Sequence, residues 1–464
     1  MLNNRPFYLF VIAFFLLIIS PFLLAEGMFM DGMFYTAISH NLANGIGTFW
    51  QPRMEATMLF YQHPPLAFGL QSLFYRLFGD SLYIDKLYSV TTFLATGVLM
   101  FLIWKISGKK SATAWLPLLM WLCFSLVWWA LPNNMLENTM SIFIMASLLF
   151  YLLCKKRKRW YWLPVSGFML CLAFFTKGPT GLFPLVMPCV YGIVFKEKIW
   201  TVIKEVCLIL LGLFVPCLLL FVFVPASYSF MENYVQAQVL NSLRHVVTVN
   251  SRLYILLKFL IETIPQLIIL ALLIVYERVT KNRTLSHSYK MHNKMFWFLV
   301  LTGLCGIIPI MVSLKQRGFY ILPVFPFFAL AWAMLFEKSV QQFIQRISAK
   351  VRHSLYIVSL LLIAVGIGSI IQHADTYSRD EQILTDIKQL LPHIPEKATI
   401  AMDKSMSEEW SLYAYFARYK YISLDVYNEK ELLLIRDTTM LKNYDNIYSL
   451  KCQTKTLLLY ERAN

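Results

Sequence analysis

The chain has 464 residues, 58% of them hydrophobic and only 15% charged, and its mean hydropathy is +0.57. A soluble chain is about half apolar and about a quarter charged, and apolar surface on this scale cannot be hidden in one water-soluble core. A cytosolic enzyme, a disordered scaffold and a small secreted module are excluded, and a polytopic membrane protein is predicted. The net charge of +16 comes from 42 Lys and Arg against 26 Asp and Glu. These basic residues cluster between apolar runs, which sets membrane orientation and does not point to nucleic acid. The eight cysteines form no C-x-x-C pair; seven lie in or beside apolar stretches and only Cys452 in the polar tail, so neither a disulfide framework nor a zinc site is expected.

A helix needs about 20 apolar residues to span a bilayer. Runs near that length occur at 7–25, 86–106, 112–130, 138–154, 160–176, 179–195, 206–225, 253–276, 295–313, 319–336 and 353–371, which predicts an α-helical protein with about 11 transmembrane helices. The first run is longer than a signal-peptide core and reads as an uncleaved span. With the N-terminus in the cytoplasm, the inside loops carry 21 Lys and Arg and the outside loops seven, so the positive-inside rule fixes that orientation. An odd number of spans then puts the tail outside.

Two outside loops are large: residues 28–82 and 226–252. In the first, Asp31–Asn44 has Phe34, Ile38 and Leu42 at helical spacing and stops at Asn44-Gly45, and Pro64–Phe78 is a second short helix ending at Gly79. Helices of this kind lie in the membrane interface. The tail is polar but patterned. Ala398–Met402, Tyr419–Leu424 and Thr456–Tyr460 read as strands and Ser407–Arg418 as a helix, which predicts a small extracytoplasmic α/β domain over 372–464 after a membrane part over 1–371.

Acids at a membrane are costly and rarely idle. Asp31 directly follows the first span; it is either a first-turn acid favoured by the helix dipole or a carboxylate placed as a general base. Glu137 lies in the short outside turn before the fourth span, as a helix cap or as a second acid at the same mouth. Two such acids can share base and orienting roles or hold a divalent ion. Cations on this face are few: Lys177 in a tight Thr176-Lys177-Gly178-Pro179 break, Lys315 and Arg317 in a similar break before Tyr320, and Arg244 and Arg252 in the second large loop. Each can snorkel to lipid headgroups; together, beside two acids, they suit a phosphate. His63, in Tyr61-Gln62-His63-Pro64-Pro65-Leu66, is a structural histidine, a donor to that phosphate or a proton carrier.

An acid after the first span, Tyr61 to Leu66 leading to Leu77-Phe78-Gly79, Thr176 to Pro179, and Lys315 to Pro326 with its Tyr320-Ile321-Leu322-Pro323 core together resemble the lipid-linked-sugar glycosyltransferases of the GT-C fold. The branch is similar to bacterial protein-mannosyltransferase-like enzymes and to the aminoarabinose transferase of lipid A. The resemblance covers the membrane part, about four-fifths of the chain. It implies an inverting transferase in the bacterial cytoplasmic membrane that takes a sugar from a polyprenyl-phosphate carrier at the outer face and places it on a lipid, glycan or protein acceptor. It implies Asp31 as the catalytic carboxylate, Glu137 as the second acid, and Lys177 and Tyr320 on the carrier phosphate; Arg244, His63 and Lys315, by their charge or donor groups on the same face, are further candidates for that phosphate. No cofactor is implied with certainty, although a divalent cation is compatible. Where the aminoarabinose branch has Glu-Lys before its proline pair this chain has Gln62-His63, and Tyr234 to Gln238 offers no histidine partner, so that branch's metal ligands are not reproduced. Rival readings are a transporter or flippase of lipid-linked sugars, a polymer ligase of similar architecture, and a binding protein working through its tail. Transporters tend to carry internal repeats and helices broken at the midplane, whereas here the unusual polar groups gather at one face.

Overall fold

The computed structural model describes residues 4–240, 247–279, 294–444 and 447–463. Among the described residues, seven helical segments are long and apolar enough to cross a membrane: α1 (Arg5–Leu23), α4 (Tyr83–Ile106), α7 (Leu136–Arg157), α10 (Ile199–Phe223), Lys294–Val312, Gly318–Arg346 and Ala349–Gln372. An eighth is bent by 44° between Tyr254–Glu262 and Ile264–Val279. Three shorter apolar segments, Ser111–Leu122, Trp162–Lys177 and Pro179–Phe195, occupy the other predicted runs. Every predicted span is thus largely helical, and among the described residues seven or eight of the eleven have the length and apolar character of a full crossing. The run 112–130 is broken at Cys123-Phe124 into α5 (Trp115–Leu122) and α6 (Ser125–Ala130).

Sequence explains the layering. α10 exposes Leu211, Phe214, Leu218 and Val222, side chains that only a lipid environment accommodates at no cost, whereas Phe325, Phe327, Leu330 and Phe336 of the Gly318–Arg346 segment are fully enclosed. The helix Lys294–Ile307 and α5 pack along that segment and α7 meets its first turn, while α7 packs along α8 (Trp162–Lys177) and α8 along α10. α1 packs along Ala349–Gln372.

α2 (Met30–Ala43) begins one residue before the predicted start, and α3 (Leu66–Phe78) follows the proline pair. α3 leaves Leu73, Leu77 and Phe78 exposed, as an interfacial helix does. α2 does not lie open at an interface: its residues from Tyr35 to Leu42 are all buried, His40 and Asn41 included. The reason is the C-terminal unit, which covers it.

That unit is a five-stranded sheet in the order β4-β3-β5-β7-β6, with β3 (Thr399–Met402) parallel to β4 (Ser423–Asp425) and β5 (Leu432–Ile435), and β6 (Tyr448–Gln453) and β7 (Leu458–Arg462) antiparallel. The predicted strand Tyr419–Leu424 starts late, because the helix Trp410–Lys420 continues through Lys420 and the chain turns at Tyr421, φ 56°. Met28, Met33, Tyr35 and Ile38 share one apolar core with Leu384, Ile387, Leu412 and Phe416. Polar contacts fasten the same seam. Arg418, almost wholly buried, reaches Asp80 at 3.0 Å and Asp85 at 3.4 Å; Glu26 pairs with Lys388 at 2.7 Å; and the edge strand β4 is met by the loop after β2 (Gln51–Pro52). There the Leu424 amide donates to Glu55 Oε1 at 3.0 Å and the Ala56 amide to Ser423 Oγ at 3.1 Å.

Candidate active site

Asp31 stands in the first turn of α2, whose exposed amides favour an acid. α2 is pressed against the turn before α7. A Cβ on Gly32 would fall 1.9 Å from the Asn133 carbonyl oxygen, so only glycine fits there, and the Phe29 amide donates to Asn133 Oδ1 at 2.6 Å. This contact brings Asp31 beside Glu137, the second residue of α7. Glu137 and Lys177, both buried, form an ion pair, and the second carboxylate oxygen of Glu137 is buried with no hydrogen-bond partner.

Lys177 ends α8. The chain can turn there because Gly178 has φ +82°, and its bare Cα lets the Tyr234 hydroxyl pack directly on the backbone. The Lys177 ammonium lies 5.3 Å from the ring centres of Phe319 and Tyr320. Tyr320 belongs to the 3-10 turn Gly318–Val324, held in place by Pro323 and by burial of Phe319, Ile321 and Leu322. His63 faces Tyr35 edge-on, with ring centres 5.7 Å apart.

A cavity of about 350 Å³ opens among these groups, lined by His63, Glu137, Lys177, Tyr234, Lys315 and Tyr320, with Met140, Pro179, Pro309 and Ile310 giving it an apolar flank. Asp31 is in electrostatic reach of it: burial pushes its carboxyl above the ordinary range, while Lys177, Arg317 and Lys315 pull it back. Burial, with Lys177 and Lys315 nearby, holds His63 well below the usual imidazole range, so it is neutral at pH 7. Burial lowers Lys315, which Asp31 opposes.

Asp31, His63, Glu137, Lys177, Lys315 and Tyr320, singled out in sequence, thus meet at one end of the helix bundle. Arg244 lies outside the described residues. Sequence reasoning passed over Tyr35, one turn beyond Asp31 on the same face of α2. Burial raises its phenol strongly, and Asp31, Glu137 and Tyr320 raise it further, which places it among the acids. The i, i+4 spacing from Asp31 was the available signal. Tyr234 and Gln238, which also line the cavity, were noted only as positions lacking a histidine. Among the described residues, no group of three or more His, Cys, Asp or Glu side chains is placed to hold a metal ion.

Helices of this arrangement, with interfacial loops over one end and a small C-terminal sheet, are the GT-C fold. The model of the family described as dolichyl-phosphate-mannose-protein mannosyltransferase matches residues 62–229, a stretch that contains His63, Glu137 and Lys177 but neither Asp31 nor Tyr320. The structure is similar to that of ArnT from Cupriavidus metallidurans bound to undecaprenyl phosphate, with a TM-score of 0.67, 14% identity and 97% of each chain covered. For ArnT from the same organism in the apo state the TM-score is 0.65, again at 14% identity and 97% of each chain. No curated protein matches the sequence.

Proposed function

We propose that the chain is an inverting glycosyltransferase that moves a sugar from a polyprenyl-phosphate carrier to a lipid, glycan or protein acceptor at the outer face of a bacterial cytoplasmic membrane. In this reading the N-terminus is cytoplasmic, residues 1–371 form the catalytic membrane part and 372–464 an outer domain. The observation that carries it is the convergence on one cavity of a buried Lys-Glu pair, a second lysine and a tyrosine, with the Asp31 carboxylate near enough to interact with both lysines. The same fold in ArnT was solved with undecaprenyl phosphate bound, and the family model that matches belongs to a phosphate-linked sugar transferase.

The chemistry follows from the charges. The acceptor oxygen attacks the anomeric carbon on the face opposite the carrier phosphate, and its proton passes to Asp31. The bond from the anomeric carbon to the phosphate oxygen breaks with both electrons going to the phosphate, through an oxocarbenium-like state of the kind seen in glycoside hydrolysis. The carrier departs as a phosphate monoester and the new glycosidic bond has inverted configuration. Lys177 and the Tyr320 hydroxyl stabilise the charge growing on the leaving phosphate in a site shielded from water. Lys315 adds a second cation, neutral His63 a further N–H donor, and Arg244 is proposed to reach the same phosphate. Glu137 holds Lys177 until the phosphate competes for it. The apolar flank of Met140, Pro179, Pro309 and Ile310 receives the first isoprene units.

The test is transfer by purified protein in liposomes supplied with polyprenyl-phosphate sugars and membrane extract. Release of carrier phosphate, with sugar on a new acceptor, is expected for the wild type. Asp31→Asn should slow it by about 10²–10⁴-fold, as loss of a general base does. Transfer by Asp31→Asn at the wild-type rate would make Asp31 a helix-start acid and overturn the mechanism.

A further inference from the structure

Glu262 is an acid deep in a transmembrane segment, 2% exposed, and it plays no part in the chemistry above. It sits where two broken spans meet. One break is the 44° bend after Glu262 itself, and the other separates α5 from α6. Its carboxylate accepts from the Ser125 hydroxyl at 2.8 and 2.9 Å and from the Leu126 amide at 3.0 Å, both at the start of α6, and pairs with Lys258 at 3.0 Å.

The two pieces it joins both support the candidate site. α6 carries Trp129, which stacks on Phe319 with ring centres 5.5 Å apart and meets Phe29 edge-on at 5.1 Å. Phe319 lies under the Lys177 ammonium, and Phe29 is two residues before Asp31. Asn133 donates to the Trp129 carbonyl at 2.6 Å while accepting from the Phe29 amide. The helix Tyr254–Glu262 braces the other side: the Ile255 amide donates to Gln316 Oε1 at 3.0 Å, between Lys315 and Arg317, and the Lys258 stem lies against Gly318.

We propose that Glu262 is a positioning residue for carrier-phosphate binding. By tying α6 to the Tyr254–Glu262 helix it fixes the aromatic platform of Phe29, Trp129 and Phe319 on which Lys177 rests, and with it the spacing of Lys177 from Asp31. A carboxylate suits this place because it can accept from a hydroxyl, an amide and an ammonium at once, which leaves the broken ends satisfied in a medium without water. The breaks themselves, a feature common in transporters, here serve to mount a rigid platform.

This inference rests on the proposed function, and the experiment separates the two. Binding of undecaprenyl phosphate to purified protein in nanodiscs is measured for wild type, Glu262→Gln, Ser125→Ala and Ser125→Thr, together with thermal midpoints. Glu262→Gln and Ser125→Ala should each weaken binding about fivefold, within the range expected for coupling through a packed network. Ser125→Thr, which keeps the hydroxyl, should bind as the wild type does. In a Lys177→Met background neither Glu262→Gln nor Ser125→Ala should weaken binding further, because both act through Lys177; a general loss of structure would still add. Wild type that binds no carrier overturns the proposed function, and this inference with it. Wild type that binds, with Glu262→Gln and Ser125→Ala binding as tightly, overturns the inference alone.

Discussion

Glu55 gives the sharpest prediction for the seam between the first large loop and the sheet. It is 1% exposed, one carboxylate oxygen takes the Leu424 amide, and the other is buried with no partner. Burial lifts its pKa from 4.5 to about 8, against the Leu424 hydrogen bond and with some help from Asp425. In the folded chain the group therefore keeps its proton to about pH 8, and in the unfolded chain it loses it near pH 4.5. Between those values the unfolded state binds fewer protons, so stability falls as pH rises, by about 1.4 kcal/mol per pH unit. The full loss is about 5 kcal/mol, complete above pH 8, and about 3 kcal/mol falls between pH 5 and 7. The neighbours do not obscure it. Asp425, pushed up a little by burial, is held below the ordinary range by Asn428 and the Tyr427 amide, and burial pushes Tyr413 up to about 12. Hydrogen exchange at Ser423–Asp425 and in residues 53–59, corrected for the intrinsic pH dependence, should show opening about 10²-fold more frequent at pH 7 than at pH 5. Glu55→Gln keeps an acceptor for Leu424 and carries no titrating proton, so its opening should not change with pH. Wild type and variant changing in parallel would refute the argument.

Two further outcomes are expected at the site. Because burial raises Asp31 and the general base must be ionised, kcat/KM should fall with acidification along a limb above the usual aspartate range, and Arg317→Gln, which removes an opposing cation, should move that limb to higher pH; a limb that stays in place would dissociate it from Asp31. Replacing Lys177 alone by Met should cost about 3–5 kcal/mol by leaving Glu137 buried and unpaired, whereas Glu137→Gln with Lys177→Met should recover most of that in thermal or denaturant unfolding while remaining inactive.

Sequence made the charged part of the site legible because charge stands out against apolar surroundings. Asp31, Glu137, Lys177 and Lys315 each interrupt or border a run that otherwise carries no charge, and sidedness alone predicted that they share one mouth. Tyrosines gave no such contrast. Among 25 of them, Tyr35 and Tyr234 differ from core residues only in what their hydroxyls approach, which is a property of the fold. Glu262 lies inside the run 253–276 one turn from Lys258, a spacing that satisfies a local helix pair, whereas its link to Ser125, 137 residues away, is tertiary. α2 read as an interfacial helix from its apolar stripe, yet the periodicity could not reveal that the C-terminal unit covers its other side. In that unit, β5 is a bare Leu-Leu-Leu-Ile run too short to show a period, and β6 is a mostly exposed edge strand, so neither was predicted.

The covering of α2 bears directly on how the site works. Lys177, Glu137 and Tyr320 sit on elements of the membrane bundle, but Asp31 sits on a helix whose middle is embedded in the core of the C-terminal unit. His40, near the other end of that helix, stacks on Tyr421 with ring centres 4.6 Å apart and pairs with Asp80 at 2.7 Å, and Asp80 in turn holds Arg418. Phe34, one turn past Asp31, lies against Trp410 with ring centres 6.2 Å apart. The distance between the proposed base and the cations that would receive the leaving phosphate is therefore set by a joint between two units and by Gly32 against Asn133, not by any one helix. Proton transfer tolerates little error in such a distance. A sheet unit seated on α2 supplies the rigidity that a free interfacial helix would lack, and in the proposed mechanism that rigidity positions Asp31 without the C-terminal unit contributing a reacting group.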